Sequence, residues 1–532
     1  MSNALTIIRS LVIYSLCLPL AIFLGYQLAM PFDSFNFTVV VVVVFLPLVP
    51  FLLKWHHLLL FGCWNTSIAL FFLPGRPNLW LVMAAVSFTL AILQHILNRN
   101  LRFISVPSVT RPLLFLAVVV VITAKLTGGF GMRTMGGESI GGKRYIMLLG
   151  AVVGYFGMTF FRVPEGKGFT YVAMYFLGTL TGIIGSLAPF VDRSFYPIFA
   201  LFPVENLGVV MGDGSQVESG AWRLGGVTFA ATALICFIFA RHGVRALTNL
   251  GERWSFLPWR VRGGLSFNQP WRLLIFLAMI WISLMGGYRS TAIILGLAFV
   301  MQFYLEGLFR SHLMPALLLG GILALAVTVP LIHKMPITIQ RSLSFLPVEV
   351  DPMARVAAEA SNEWRMRIWR TVLPLVPQYL ILGKGYAINP SELIMANDNQ
   401  GRSGGNDSEA SILSGDYHNG PLSLIIPLGI FGVIGFIWFL YAAFKVLLNN
   451  YHFGDPAMRT VNIFLLSYFV ARLFYFLFIF GAFHGELAIF VGVVGLSVSL
   501  NGGVCKPAPA PVEKPGFAQL KLARAARQST PA

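Results

Sequence analysis

The chain of 532 residues is 57% apolar and 11% charged, with a mean hydropathy of +0.76, which excludes both a soluble globular protein and a disordered one. Its 38 Lys and Arg outnumber 21 Asp and Glu, giving a formal charge of +17, and 46 Phe, 16 Tyr and 11 Trp supply rings suited to the headgroup level of a bilayer. These figures describe a polytopic membrane protein, and no nucleic-acid partner is expected for its positive excess.

In chain order, Arg9 is followed by an apolar run to Met30, longer than a signal-peptide core, and is read as a first span that is retained. Backbone groups must be paired inside hydrocarbon, so each long apolar run is a candidate helix. Fourteen runs qualify: 7 to 30, 37 to 53, 57 to 73, 79 to 97, 111 to 127, 145 to 161, 169 to 190, 226 to 241, 270 to 286, 290 to 307, 313 to 332, 421 to 446, 460 to 480 and 483 to 500. Cys17, Cys63 and Cys236 lie in these runs and Cys505 in the tail, so neither a disulfide framework nor a thiolate metal site is legible.

Between the ninth and tenth runs, WISLMGGYRSTAIILGLAF places Arg289 beside Gly286 and Gly287 at the edge of the bilayer. A cation there faces headgroups or the protein interior, and a guanidinium prefers phosphate oxygens that its planar fork can meet in pairs. The segment 333 to 420 is the largest polar piece. From Met353 to about Leu382 it has helical spacing, with Trp364, Ile368, Val372 and Leu375 near one face. Arg365 and Trp369 stand one turn apart, so the guanidinium is expected against the indole, with Arg367 as the alternative functional arginine. Pro374 and Pro377 break this helix and GKGY, Gly383 to Tyr386, follows as a turn. The residues from Asn389 to Asp416 read as irregular, and DYHNG then leads straight into a span, which puts His418 at the membrane surface. Arg472 lies inside the thirteenth span and needs a partner within the bundle; His484 and Glu486 follow in the next turn.

Cytoplasmic loops retain Lys and Arg during insertion. With the N-terminus inside, that side collects 21 of these residues, against 8 in the short outer loops and 8 in the segment 333 to 420. The reading is therefore an all-α polytopic membrane helical bundle of about fourteen transmembrane helices with one large periplasmic loop that contains helices. Residues 1–332 hold the first eleven helices, 333–420 the periplasmic loop with its amphipathic helix, 421–500 the last three helices, and 501–532 a disordered basic cytoplasmic tail.

Three patterns together, GGYRSTAIILGLAF, RMRIWRTVLPLVPQYLILGKGY and HNGPLSLIIPLGIFG, resemble the O-antigen ligase and polymerase superfamily of bacterial membrane glycosyltransferases, from roughly Trp281 to Leu440. The departures are Tyr288 in the first turn and Pro427–Leu428 where the family has an acidic residue. The resemblance implies transfer of a glycan from a polyprenyl (undecaprenyl) diphosphate carrier to a hydroxyl of lipid A core, a glycan or another acceptor, at the outer face of the bacterial inner membrane. Arg289 and Arg365 are then the groups that stabilise the leaving diphosphate, and His418 the general base. Arg367, Trp369 and Arg472 are the further substrate-binding candidates. Direct attack inverts the anomeric centre. No cofactor is implied and no metal is expected, because Asp398, Asp407, Glu409 and Asp416 match no Ca or Mg loop and arginine already supplies fixed positive charge. A polymerase shares donor and chemistry with a ligase; a lipid-linked glycan exporter, the reading from another class, needs charged residues along several spans.

Overall fold

The computed structural model describes residues 48–128, 141–204, 224–245, 254–255, 266–267, 271–346, 348–388, 391, 411–413 and 415–507, apart from 74, 99 and 102, with isolated positions 19, 22 and 25. The expected spans 7 to 30 and 37 to 53, and all of the basic tail after 507, lie wholly or largely outside these residues.

The helices are α1 Val49–Cys63, α2 Leu79–Leu97, α3 Pro107–Thr127, α4 Gly142–Met158, α5 Gly168–Leu177, α6 Gly182–Ser186, α7 Gly225–His242, α8 Trp271–Leu284, α9 Arg289–Leu305, α10 Leu313–Leu331, α11 Ile337–Leu343, α12 Pro352–Val372, α13 Gly420–Phe453, α14 Arg459–Phe478 and α15 Phe483–Asn501. Among the described residues, eight helical stretches are long and apolar enough to cross a membrane, and α1, α8 and α9 are shorter apolar helices. The only strands there are a two-residue antiparallel pairing of Trp254–Ser255 with Ser266–Phe267. The described chain is thus a helical bundle of multi-pass membrane type.

Two expected spans take a different form. The run 57 to 73 holds its helix only to Cys63, because Thr66 donates both its amide (3.1 Å) and its hydroxyl (2.8 Å) to the Cys63 carbonyl and draws the backbone out of the helix. The run 169 to 190 is one of the eight stretches, Gly168–Phe190, but its helix is interrupted, as α5, a 3-10 turn over Gly178–Thr181, and α6.

The core is a continuous apolar cluster. α15 packs on α4, α13 on α3, α9 on α14, and α7 on α8, α5 and α14. α10 stands apart, almost wholly exposed, with its contacts mainly to the short turns at its ends.

The bundle has two rims. At one, Val163 N–H donates to Ser499 O (2.9 Å), Ile104 N–H to Thr159 O (3.2 Å), and Glu306 accepts from the amides of Val244 (2.8 Å) and Arg245 (2.9 Å). Arg162, Lys167, Arg241, Arg245, Arg310, Lys445, Arg459 and Lys506 lie at or near that rim, and the charge count assigned all of them to one side of the membrane. The other rim gathers the starts of α4, α7, α9, α13 and α15, together with α11 and α12.

Candidate active site

α12 begins at Pro352, where the Asp351 carboxylate caps the first turn by accepting from Met353 N–H (2.8 Å). Ala354, Ala358, Ile368 and Val372 make its buried face. It ends at Val372, one residue before a 3-10 turn containing Pro374, as proline requires. The following chain docks into a break in α13. Gly429 interrupts that helix with φ 66° and ψ −165°, a conformation open essentially to glycine alone. Across the break, Ile430 N–H donates to Leu380 O (2.6 Å), Lys384 N–H to Ile426 O (2.7 Å) and Gly385 N–H to Pro427 O (3.0 Å). The GKGY turn and the span that follows His418 are therefore one joint, which fixes α12 relative to the start of α13.

His418 sits just before α13, in a left-handed conformation with φ 49°. Its neighbours are tied on both sides. Trp369 Nε1–H donates to the Tyr417 carbonyl (2.9 Å), and Asn419 Oδ1 accepts from Leu422 N–H (3.0 Å) to cap α13. The imidazole lies edge-on to Trp364 at 4.8 Å between centroids and tilted on Phe480 at 5.0 Å. Asp416 Oδ2 is 3.7 Å from its Nε2, and its Nδ1 is buried without a hydrogen-bond partner among the described residues. Burial holds the histidine below its ordinary pKa; the Asp416 carboxylate pulls the other way and the Arg365 guanidinium lowers it further.

Arg289 is the first residue of α9. Its Nη2 donates to Ala358 O and to Asn362 Oδ1, both at 3.1 Å, so this arginine ties α9 to α12 through a single nitrogen. The glycines before it are needed by geometry. A side chain at Gly286 would meet Thr228 Oγ1 at 2.5 Å and the Tyr288 ring at 2.7 Å, and Gly287 has φ 68°. Arg365 reaches from α12 over the Phe480 ring, 5.9 Å from its centroid, a platform that spacing along α12 did not suggest. Arg472 donates through Nε to Tyr468 OH (3.0 Å) and pairs through Nη1 with Glu486 Oε1 (3.4 Å). It lies over the rings of Tyr468 and Tyr475. Its required partner in the bundle is therefore Glu486.

These groups share one cavity of about 630 Å³, whose lining includes Arg289, Arg365, His418 and Arg472. Arg341, on the short helix α11, and Trp364 also line it. Sequence reasoning assigned neither of them a role: α11 is too short for its periodicity to register, and Trp364 read as one more apolar contact. The indole Nε1 of Trp364 is buried with no hydrogen-bond partner among the described residues. Tyr288, Ser290 and Thr291 add the first turn of α9, which no side chain caps, so the positive end of a 17-residue helix meets the cavity.

Two predicted substrate-binding residues stand elsewhere. Arg367 is exposed and outside the lining, because two helical positions from Arg365 turn it about 200° around α12. Trp369 packs into the cluster of Ile368, Val372, Tyr417, Leu422 and Ile426, and spends its N–H on the loop that carries His418. Asp398, Asp407 and Glu409 lie outside the described residues; Asp416 is the carboxylate beside the histidine.

The cavity residues Arg289, Arg341, Arg365 and His418 all fall in one stretch of chain that has relatives. Residues 274–437 match the model of the O-antigen ligase family. The match spans α8 to the first half of α13, nearly the limits over which the three sequence patterns were found, and stops short of Arg472. No curated protein matches the chain. An O-antigen ligase domain in a multi-pass bundle supports a membrane enzyme of the O-antigen ligase or polymerase type, acting in polysaccharide biosynthesis.

Proposed function

We propose that the protein transfers a glycan from a polyprenyl diphosphate carrier to an acceptor hydroxyl, inverting the anomeric centre without a metal, at the periplasmic face of the bacterial inner membrane with both termini cytoplasmic. One observation supports this reading above the rest: arginines from four separate helices and the only histidine in the cavity lining face one space of about 630 Å³, large enough for a pyrophosphoryl group and the first sugar.

In the reaction the acceptor oxygen forms its bond to C1 as the bond from C1 to the phosphate oxygen breaks, and the electron pair leaves on the diphosphate. Charge grows on those oxygens. Arg289, whose Nη1 and Nε are not used by Ala358 or Asn362, meets them together with Arg365 and the first turn of α9. Arg472 and Arg341 raise the potential of the whole cavity. The acceptor's proton passes to His418, whose depressed pKa keeps it neutral and able to accept at ambient pH.

The test is reconstitution in liposomes with purified polyprenyl diphosphate glycan and either a lipid A core or a second carrier-linked glycan as acceptor, with EDTA present and the product linkage determined. Transfer by the wild type, with loss in His418→Ala and Arg289→Ala, is expected. Product on lipid A core identifies a ligase and product on the carrier-linked glycan a polymerase. Movement of donor between leaflets with no transfer would make the protein an exporter and overturn the proposal.

A further inference from the structure

The carboxylate beside the histidine has no role in the transfer as described so far. We infer that Asp416 is a positioning residue for His418, holding the imidazole in register and accepting from it once it has taken the acceptor's proton. The inference rests on the glycosyl-transfer reading of the cavity.

Three observations carry it. Asp416 Oδ2 lies 3.7 Å from His418 Nε2, within about an ångström of a charge-assisted hydrogen bond, and such contacts commonly tighten only when substrate is bound. The segment is locked against drift. Asp416 N–H donates to Ser411 O (2.9 Å), Trp369 holds the carbonyl of Tyr417, and Asn419 caps α13. The two side chains therefore keep their relation while the ring gains and loses a proton. Finally, Asp416 Oδ1 is buried without a hydrogen-bond partner among the described residues, so no other group competes strongly for this carboxylate.

The chemistry follows from these positions. The imidazolium that forms as the acceptor attacks carries hydrogens on both nitrogens, and the Nε2 hydrogen faces Asp416. Among the described residues, the charge that opposes its protonation directly is Arg365, with further guanidiniums around the cavity. Arg365 from α12 acts on it directly, Arg289 from α9, Arg341 from α11 and Arg472 from α14, the last paired with Glu486 of α15, line the same cavity, and Arg144 from α4 lies beyond Asp416, where His484 of α15 adds a buried imidazole. Among the described residues, Asp416 is the anion that acts on the ring. Without it the histidine would titrate lower still and would be a weaker base.

The sign of the pH effect is fixed by that balance. Activity requires neutral His418, so it is present above the histidine pKa in the folded enzyme and lost as pH falls through it. In the wild type this acid limb is expected below the ordinary histidine value of about 6.5. Asp416→Asn, which keeps the shape and removes the charge, should move the limb about one pH unit further toward acid and lower plateau kcat about 10-fold to 100-fold. The KM for donor should stay within about twofold, since Asp416 does not line the cavity. Asp416→Glu should restore part of kcat and return the limb toward the wild-type position.

The experiment is the pH–rate profile of wild type, Asp416→Asn and Asp416→Glu in liposomes, with thermal unfolding of each protein recorded alongside. A wild type that performs no transfer refutes the proposed function itself. A wild type that transfers, with an Asp416→Asn limb unmoved or moved toward alkaline pH, refutes the role of Asp416 alone. A fall in kcat with an unmoved limb and a lowered unfolding temperature would show that the residue merely holds the fold.

Discussion

Gly429→Ala should damage both stability and turnover, through a joint that touches no substrate. The native φ and ψ at this position belong to a region essentially restricted to glycine, and forcing alanine there costs about 1–3 kcal/mol. The added Cβ would also lie 2.6 Å from Ile381 O, 2.9 Å from Leu380 O and 3.0 Å from Gly383 N, all backbone atoms that cannot turn away. Relief requires the Leu380–Gly385 strap to lift, which weakens the bond from Ile430 N–H to Leu380 O and those from Lys384 and Gly385 into α13, each worth about 1 kcal/mol. A total of about 3–5 kcal/mol is therefore expected. Because that strap fixes α12 against α13, Arg365 and His418 should lose register, and turnover should fall more than the unfolded fraction explains. The control is Gly296→Ala in α9, where a Cβ meets nothing within 4 Å and a helical alanine is favourable. Thermal unfolding in detergent and liposome turnover should separate the two variants. Gly429→Ala with wild-type melting and wild-type turnover would refute the reasoning.

Removing Arg472 strands a buried carboxylate, so Arg472→Ala should destabilise the bundle by about 3 kcal/mol, and the double variant Arg472→Met, Glu486→Gln should recover most of that in thermal unfolding. Trp369→Phe keeps the apolar contact but loses the bond to Tyr417 O, worth about 1 kcal/mol. Its turnover should fall about fivefold with donor KM unchanged, as measured by steady-state transfer. Arg365→Ala should abolish detectable transfer whereas Arg367→Ala, on the exposed side of α12, should keep it within about threefold.

What was legible in the sequence divides along physical lines. Hydrophobic runs reported α2, α3, α7, α10, α13, α14 and α15 well, because length and apolarity are local properties. They also found the stretch Gly168–Phe190 but not the 3-10 turn inside it, and they reported α1 poorly, since Thr66 and the glycines near 178–185 act through hydrogen bonding and turn geometry that a hydropathy count does not register. At the site, Arg289, Arg365 and His418 could be named because each sits in a local pattern with its own spacing. Arg341 could not, lying on a seven-residue helix without a distinctive neighbour. The Phe480 ring under Arg365 could not be foreseen for a related reason: it reaches the guanidinium from the end of α14, and spacing within one helix says nothing of a ring arriving from another. The positional role of Trp369 likewise depends on a carbonyl 48 residues away.

The central claim is that Arg289, Arg365 and His418 serve a single diphosphate-linked donor in one cavity. A structure of the full-length protein in nanodiscs with a non-transferable polyprenyl diphosphate sugar analogue tests it most directly. The account predicts diphosphate oxygens within hydrogen-bonding distance of both guanidiniums, at the first turn of α9, with C1 of the sugar facing His418. Diphosphate held elsewhere on the protein, or bound by Arg289 and Arg365 with its sugar directed away from the histidine, would contradict it.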